Sequence, residues 1–208
     1  MDANLGQSCG GSAERSLRLF YALWPDDAVR ERLAALQAHV DGKLTAYENL
    51  HITLAFLGEQ PADSLPALGA ILDGLPRDEI MLPLDRLGYF PKKRIAWAGM
   101  HAVPGALRAL AGALADALIA NGVAFDRRTD FKPHVTLARD ADPPRDVSFD
   151  PIVWHAERIV LVQSVMQRGG VRYEVLAERM PRHRHASSEG VSATRPLPSP
   201  PSPNNPER

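Results

Sequence analysis

Short apolar runs alternate with stretches of helical spacing along the chain. The run at 17–24 is rich in aromatic and aliphatic residues and ends at Pro25, so it predicts a strand. Either Asp26 or Asp27 then suits the N-cap of a helix. The apolar residues that follow at helical spacing are Val29, Leu33, Leu36 and Val40. We therefore expect a strand and a helix to open the folded region.

The alternation continues to residue 179. Strands are predicted at 49–58, 80–90, 94–100, 133–139, 157–166 and 171–179. Helices are predicted at 64–75 and 104–122, because Pro104 suits a first turn and Gly122 a C-terminal cap. Each half of the chain thus runs strand, helix, strand. This order predicts an α+β fold of two pseudo-symmetric lobes, each an antiparallel sheet with helices packed outside, around a central cleft.

Both ends of the chain lack this pattern. Residues 1–15 have no apolar periodicity, and residues 181–208 are rich in Pro and Ser with few large apolar side chains. Such segments bury too little surface to offset the entropy lost on ordering. We expect a flexible leader at 1–15, one domain at 16–180 and a disordered tail at 181–208.

Composition narrows the class of protein. The 24 Lys and Arg residues nearly balance 25 Asp and Glu, and the net charge of -1 argues against a protein that coats long nucleic acid. The charge balance does not exclude the binding of a small anionic ligand by a few local cations. Cys9 is the only cysteine and has no internal disulfide partner, which favours a reducing, cytoplasmic location. No apolar run reaches about 18 residues, so the sequence indicates no membrane segment.

Two of the predicted strands share the motif His-(Ile/Val)-Thr-Leu-Ala. Residues i and i+2 of a strand lie on one face, so His51 shares a face with Thr53, and His134 with Thr136. By the same alternation Phe56 should point to the opposite, helix-packed face. If the lobes are related by a pseudo-twofold axis, the two motifs face each other across the cleft.

The paired motifs indicate acid-base chemistry on a phosphate ester. Two imidazoles that titrate near neutrality provide a base and an acid, and two hydroxyls donate to phosphoryl oxygens. A metal site fits less well, because neither strand adds a further ligand. A Ser or Cys triad has no Gly-x-Ser-x-Gly elbow, and Cys9 lies in the leader. The sequence thus predicts neither a metal nor a cofactor.

With these motifs the chain resembles the 2H phosphoesterases, and within them the RNA 2',3'-cyclic phosphodiesterases, also called 2'-5' RNA ligases. The resemblance covers about residues 16–180 and includes both motifs in order. The matching segments are RLFYALWP, NLHITLAFLGE, LDRLGYFPKKRIAWAG, FKPHVTLAR and IVLVQSVMQRGGVRYEVLAE.

The resemblance implies roles for particular residues. The paired histidines and hydroxyl residues of the family correspond to His51, Thr53, His134 and Thr136. Arg139 resembles a residue that contacts the nucleotide beside the phosphate. Its parity is opposite to that of His134, so we expect it to act from beyond the end of the regular strand.

Other residues are candidates for contacts at the cleft. Phe20, in the first strand, is a candidate stacking partner for a base. The PKKR segment at 91–94 and the cations Arg127, Arg128 and Lys132 could add positive potential at the rim.

The activity implied is hydrolysis of a 2',3'-cyclic phosphate at an RNA or nucleotide end to a 2'-phosphomonoester, with weak reversible 2'-5' ligation. Expected partners are RNA ends or small nucleotides that carry the cyclic phosphate, with no membrane and no obligate protein partner, and the protein is expected to be a monomer. Two other functions stay open: a non-catalytic module that binds nucleotides or RNA ends, and a 2H phosphodiesterase for another small nucleotide. The sequence does not assign base and acid between the histidines.

Overall fold

A computed structural model of the chain describes residues 15–127, 131–145, 147–168 and 170–179. Nearly all of the predicted leader, with Cys9, and the whole of the predicted tail lie outside these ranges. Their character and the domain boundaries at 16 and 180 therefore stay predictions. No helix within the described ranges is both long and apolar enough to cross a membrane.

The described residues form ten strands and three α-helices. The strands are β1 (Ser16–Leu23), β2 (Lys43–Leu44), β3 (Ile52–Pro61), β4 (Met81–Leu84), β5 (Arg86–Phe90), β6 (Ile95–Gly99), β7 (His134–Arg139), β8 (Ile152–His155), β9 (Ile159–Gln167) and β10 (Gly170–Arg179). The helices are α1 (Asp27–Leu36), α2 (Leu65–Gly74) and α3 (Gly105–Ala120). The Asp26 side chain caps α1 by accepting a hydrogen bond of 2.8 Å from the backbone N–H of Val29.

The main sheet joins the two predicted lobes. Its strand order is β10-β9-β1-β3-β7-β6-β5, with β2 added to β7 and every pair antiparallel. Between β3 and β7 the described ladder consists of Ile52 opposite Val135. The first lobe thus contributes β10, β9, β1 and β3, and the second contributes β7, β6 and β5. The predicted α+β fold of two antiparallel lobes is confirmed, and the two motif strands are neighbours where the lobes meet.

The two faces of this sheet differ in how they are covered. The main core lies on one face, here called the back face, where the helices and the small β4–β8 sheet pack against the strands. The opposite front face carries a smaller apolar cluster on the first lobe. Its members are Phe20, Ala22, Trp24, Val160 and Val162, with Phe56 and Tyr173 packed against them. The front face therefore stays open enough to form a cleft.

One predicted strand proved to be two. The apolar segment 80–90 divides at Asp85, because β4 pairs with β8 whereas β5 pairs with β6. The short strand β8 was not predicted, although its burial alternates between buried Ile152 and Trp154 and exposed Val153. Four residues give too short an alternation to be recognised from sequence alone.

Candidate active site

The two motif histidines lie where β3 meets β7. His51 immediately precedes β3, and His134 is the first residue of β7. The residues that follow them, Ile52 and Val135, are opposite each other in the ladder. The main chain thus places both imidazoles at the junction of the lobes.

The two histidines are oriented by matching hydrogen bonds. Nδ1 of His51 lies 2.6 Å from the carbonyl oxygen of Asn49, and Nδ1 of His134 lies 2.7 Å from that of Lys132. A carbonyl oxygen only accepts, so each Nδ1 carries a proton and donates. In the neutral rings each Nε2 is then unprotonated, and Nε2 of His51 is 3.1 Å from the hydroxyl oxygen of Thr53. Each ring can therefore take up or release a proton at Nε2.

Aromatic rings enclose His51. The ring of Trp24 is stacked on the imidazole at 5.6 Å between centroids and 18° between planes. The ring of Tyr173 is nearly perpendicular to the imidazole at 5.2 Å between centroids, and the ring of Phe20 lies 5.0 Å away. Phe20 is 3% exposed and also contacts Tyr173 at 4.9 Å, so little of its ring is left to contact a ligand.

This enclosure lowers the basicity of His51. Burial is the main cause that lowers its pKa from 6.5 to about 4, because a charged ring loses hydration. The hydrogen bond to the Asn49 carbonyl acts in the opposite direction, whereas the positive charges of His134 and Arg139 lower the pKa further. His51 is therefore neutral at pH 7, and both other groups lie within electrostatic range of it.

A second aromatic group lies beside His134. The ring of Phe90 meets the imidazole edge to face at 4.9 Å and 85°, and the indole of Trp97 lies at 6.2 Å. Trp97 lies flat across the sheet, because its ring covers the Cα atoms of Gly88 and Gly99 so closely that a Cβ at either position would overlap it. Glycine at these two positions therefore shapes the front face of the second lobe.

Each motif strand contains a β-bulge directly after its threonine. In β3 the register shifts at Leu54, and in β7 it shifts at Leu137. A bulge adds one residue to one strand, so two consecutive residues at the shift both face the core. After the bulge, residues that regular alternation would place on one face of the sheet lie on the other. Accordingly Leu54 and Ala55 are both buried on the back face, as are Leu137 and Ala138.

The bulges change which residues reach the front face. Phe56 is opposite Phe20 and packs in the front-face cluster, so the expectation that it points to the helices is wrong. Arg139, the exposed last residue of β7, returns to the face of His134 without lying beyond the regular strand. Its effect on the pKa of His51 agrees with this placement.

The bulge in β7 is held by groups outside the strand. The carbonyl oxygen of Leu137 accepts hydrogen bonds from the side-chain amide of Gln37, at 2.9 Å, and from the backbone N–H of Thr45, at 2.8 Å. The same amide of Gln37 donates to the carbonyl of Thr45 at 2.8 Å. Gln37 thus adds a second hydrogen bond to the carbonyl at the bulge and links it to Thr45, which fixes the path of the chain toward Arg139.

The cations expected at the rim have different environments. Arg94 pairs with Asp142 at 3.3 Å, and the guanidinium of Arg127 lies 5.4 Å from the ring of Phe125. Lys132 is exposed next to the motif of His134. Arg128 lies outside the described residues. The structure thus brings Lys132 to the site, while Arg94 is engaged in an ion pair.

Sequence reasoning missed several neighbours of the histidines. Trp24 and Tyr173 beside His51 were not identified, and neither were Phe90 and Trp97 beside His134. β1 is apolar on both faces, so its alternation does not show which face forms the site. The signal available for Trp24 was its parity, which it shares with Phe20.

The arrangement provides groups for acid-base chemistry. The imidazoles of His51 and His134 lie at the junction of the lobes, with the hydroxyl groups of Thr53 and Thr136 on the same sides of their strands. Within the described part of the chain, no group of three or more His, Cys, Asp and Glu side chains is placed to hold a metal ion.

Known proteins are similar to this chain in sequence and in fold. A family model described as LigT like phosphoesterase matches residues 23–97. The RNA 2',3'-cyclic phosphodiesterase of Escherichia coli (strain K12) is 33% identical over 165 residues, which cover 76% of this chain and 93% of the relative. The protein of the same name from Thermus thermophilus is 32% identical over 189 residues, covering 83% and 94%. The crystal structure of E. coli LigT complexed with 3'-AMP matches with a TM-score of 0.70 and 31% identity, over 81% of this chain and 99% of that one.

Proposed function

Because the chain belongs to the LigT-like phosphoesterase family, we propose that it hydrolyses 2',3'-cyclic phosphates at RNA or nucleotide ends to 2'-phosphomonoesters. The observation that carries the proposal is the pair of equivalent imidazoles, each with Nδ1 bound to a carbonyl two residues earlier. Binding alone calls for cations and donors, whereas two proton-transfer groups suit turnover. The alternative of a non-catalytic binding module is therefore less well supported.

In the proposed reaction one neutral imidazole removes a proton from water as the water oxygen attacks phosphorus. The bond between phosphorus and the 3' oxygen breaks, and the other imidazole donates its Nε2 proton to that oxygen. Hydroxyls of Thr53 and Thr136 donate to the non-bridging oxygens, which gain charge in the transition state. With an RNA hydroxyl in place of water, the same displacement forms a 2'-5' linkage, which corresponds to the weak ligation. No metal or cofactor is needed for these steps.

The remaining site residues are proposed to orient the nucleotide. Arg139 is exposed on the front face and supplies a fixed positive charge near the phosphate. The burial of Phe20 does not favour the expected role in base stacking, and we assign it to support of His51. We propose Phe56 in place of Phe20 as the residue that stacks on the base, because the bulge turns Phe56 to the front face and its ring is only partly buried.

The experiment is phosphorus NMR of the product formed from 2',3'-cyclic AMP. In-line attack opposite the 3' oxygen gives adenosine 2'-phosphate. A dominant 3'-phosphate would contradict the proposed orientation but leave the acid-base pair standing. No turnover of this nucleotide or of a cyclic-phosphate oligonucleotide would contradict the proposed function, and turnover of another small nucleotide instead would favour that alternative.

A further inference from the structure

A cavity of about 510 Å³ opens beside His134 on the front face of the second lobe. Its lining includes His134 but not His51, so it extends from the site toward β5 and β6. The volume lies within the range of small-molecule sites, about 300–1,000 Å³. The reaction proposed above uses His134 but does not account for the rest of this cavity.

Two aromatic rings form one wall of the cavity. Trp97 and Phe90 lie 5.3 Å apart with 33° between their planes, and both are partly exposed. Trp97 takes its flat orientation because Gly88 and Gly99 leave room for the indole. Flat, partly exposed rings of this kind provide stacking surfaces for nucleobases.

Among the described residues, three cations also line the cavity. Arg86, the first residue of β5, places its guanidinium 5.3 Å from the indole ring of Trp97. Arg108, on α3, lines another part of the cavity together with Lys132. Within the described ranges neither Arg86 nor Arg108 forms an ion pair or a side-chain hydrogen bond, and no lining residue is acidic. The cavity therefore has a positive local charge in a chain of net charge -1.

We infer that this cavity binds the nucleotides that precede the terminal cyclic phosphate of an RNA substrate, so that Arg86 and Arg108 select an oligonucleotide end over a free cyclic mononucleotide. The inference rests on the proposed function. A cyclic mononucleotide has one anionic group, which the histidines and threonines already engage. Arg86 and Arg108 can bind further anions, and internucleotide phosphates supply them while a neighbouring base stacks on Phe90 or on the guanidinium of Arg86 that lies over Trp97.

The test compares 2',3'-cyclic AMP with an adenosine tetranucleotide that ends in the same cyclic phosphate. We expect kcat/KM to be at least about tenfold higher for the tetranucleotide, and Arg86→Ala or Arg108→Ala to reduce that ratio about tenfold. The matched control is Arg77→Ala, which removes an exposed arginine outside the cavity and should leave the ratio unchanged. For the tetranucleotide, log kcat/KM should fall with log salt concentration by about 0.7 per contacted phosphate, and less steeply in the two cavity variants.

A second measurement separates this inference from the proposed function. Fluorescence anisotropy of a labelled tetranucleotide with a 2'-phosphate end reports binding without turnover, and Arg86→Ala should weaken it about tenfold. If neither substrate is turned over, but the labelled tetranucleotide binds and Arg86→Ala weakens that binding, the proposed hydrolysis fails and the RNA subsite stands. Equal kcat/KM for both substrates, or equal loss on both in the cavity variants, would overturn the subsite while the hydrolysis stands.

Discussion

Replacing Trp24 by leucine should raise the pKa of His51 and move the acidic limb of the pH profile. The indole is stacked on the imidazole and is 7% exposed, so it is a large part of the enclosure that keeps water from the ring. Leucine keeps the site apolar but covers less of the imidazole, which lets water hydrate its charged form.

The magnitude follows from the pKa of about 4 in place of 6.5. That difference is worth about 3 kcal/mol, since a tenfold change in an ionisation constant is about 1.4 kcal/mol. Trp24 is one of three rings around His51, together with Phe20 and Tyr173. Removing one of three comparable contributions should raise the pKa by about 0.8 pH unit, or about 1 kcal/mol.

The assay is kcat/KM for 2',3'-cyclic AMP as a function of pH. Catalysis needs one imidazole protonated at Nε2 and the other neutral. When the free enzyme binds a further proton both rings are charged and kcat/KM falls, whichever ring is the base. The acidic limb should therefore lie near pH 4 in the wild type and near pH 5 in Trp24→Leu. NMR titration of the His51 ring proton reports the same pKa directly.

The matched control is Trp154→Leu. Trp154 is 1% exposed in the main core and does not line the enclosure of His51, so this variant should lose stability without moving the acidic limb. A wild-type acidic limb near pH 6.5, or a His51 ring that titrates there, would refute the reasoning without the use of any variant. An equal displacement of the limb in both variants would show that general loosening is the cause.

Four further outcomes are expected. His51→Ala and His134→Ala should each reduce kcat at least about a hundredfold, and the double variant should lose less than the product of the two, as steady-state kinetics will show; near-normal turnover in either would remove that residue from the catalytic pair. Activity should survive EDTA, and loss on chelation with recovery on added zinc would contradict the acid-base reaction. Gln37→Ala should lower the free energy of unfolding by about 1 kcal/mol in denaturant titrations and raise KM, because the amide supports the Leu137 carbonyl at the bulge before Arg139. If the effects of Gln37→Ala and Arg139→Ala on KM are fully additive in the double variant, Gln37 does not position Arg139. His51 binds a proton near pH 6.5 in the unfolded chain and only near pH 4 in the folded protein, so the free energy of unfolding should fall by up to about 3 kcal/mol as the pH falls between these values. Denaturant titrations at several pH values measure this dependence, and His51→Gln should flatten it.

The sequence alone was sufficient for the fold class and for grouping the four motif residues, whose catalytic roles stay a prediction. Apolar periodicity separates strands from helices, and the duplicated motif identifies His51, Thr53, His134 and Thr136 as a related set. These inferences need only local spacing, because side-chain direction in a regular strand follows from its period of two.

Alternation failed where the strands are irregular. A bulge is a property of the ladder between two strands, so neither the register shift at Leu54 nor that at Leu137 is written in one strand's own pattern. For this reason alternation placed Phe56 on the helix-packed face and Arg139 beyond the regular strand, whereas both lie on the front face with the histidines. The partner strands and the amide of Gln37 decide where the extra residue is accommodated.

The difference between the two histidines also came only from tertiary structure. Their local sequences are nearly the same, and both donate Nδ1–H to a carbonyl two residues earlier. His51, however, is enclosed by rings from β10 and from the end of β1, which are distant from it along the chain. Hydration of an imidazole depends on everything packed around it in space. The repeated motif therefore indicates the candidate acid-base groups, while the surrounding fold determines the pKa of His51 and the shape of the cavity beside His134.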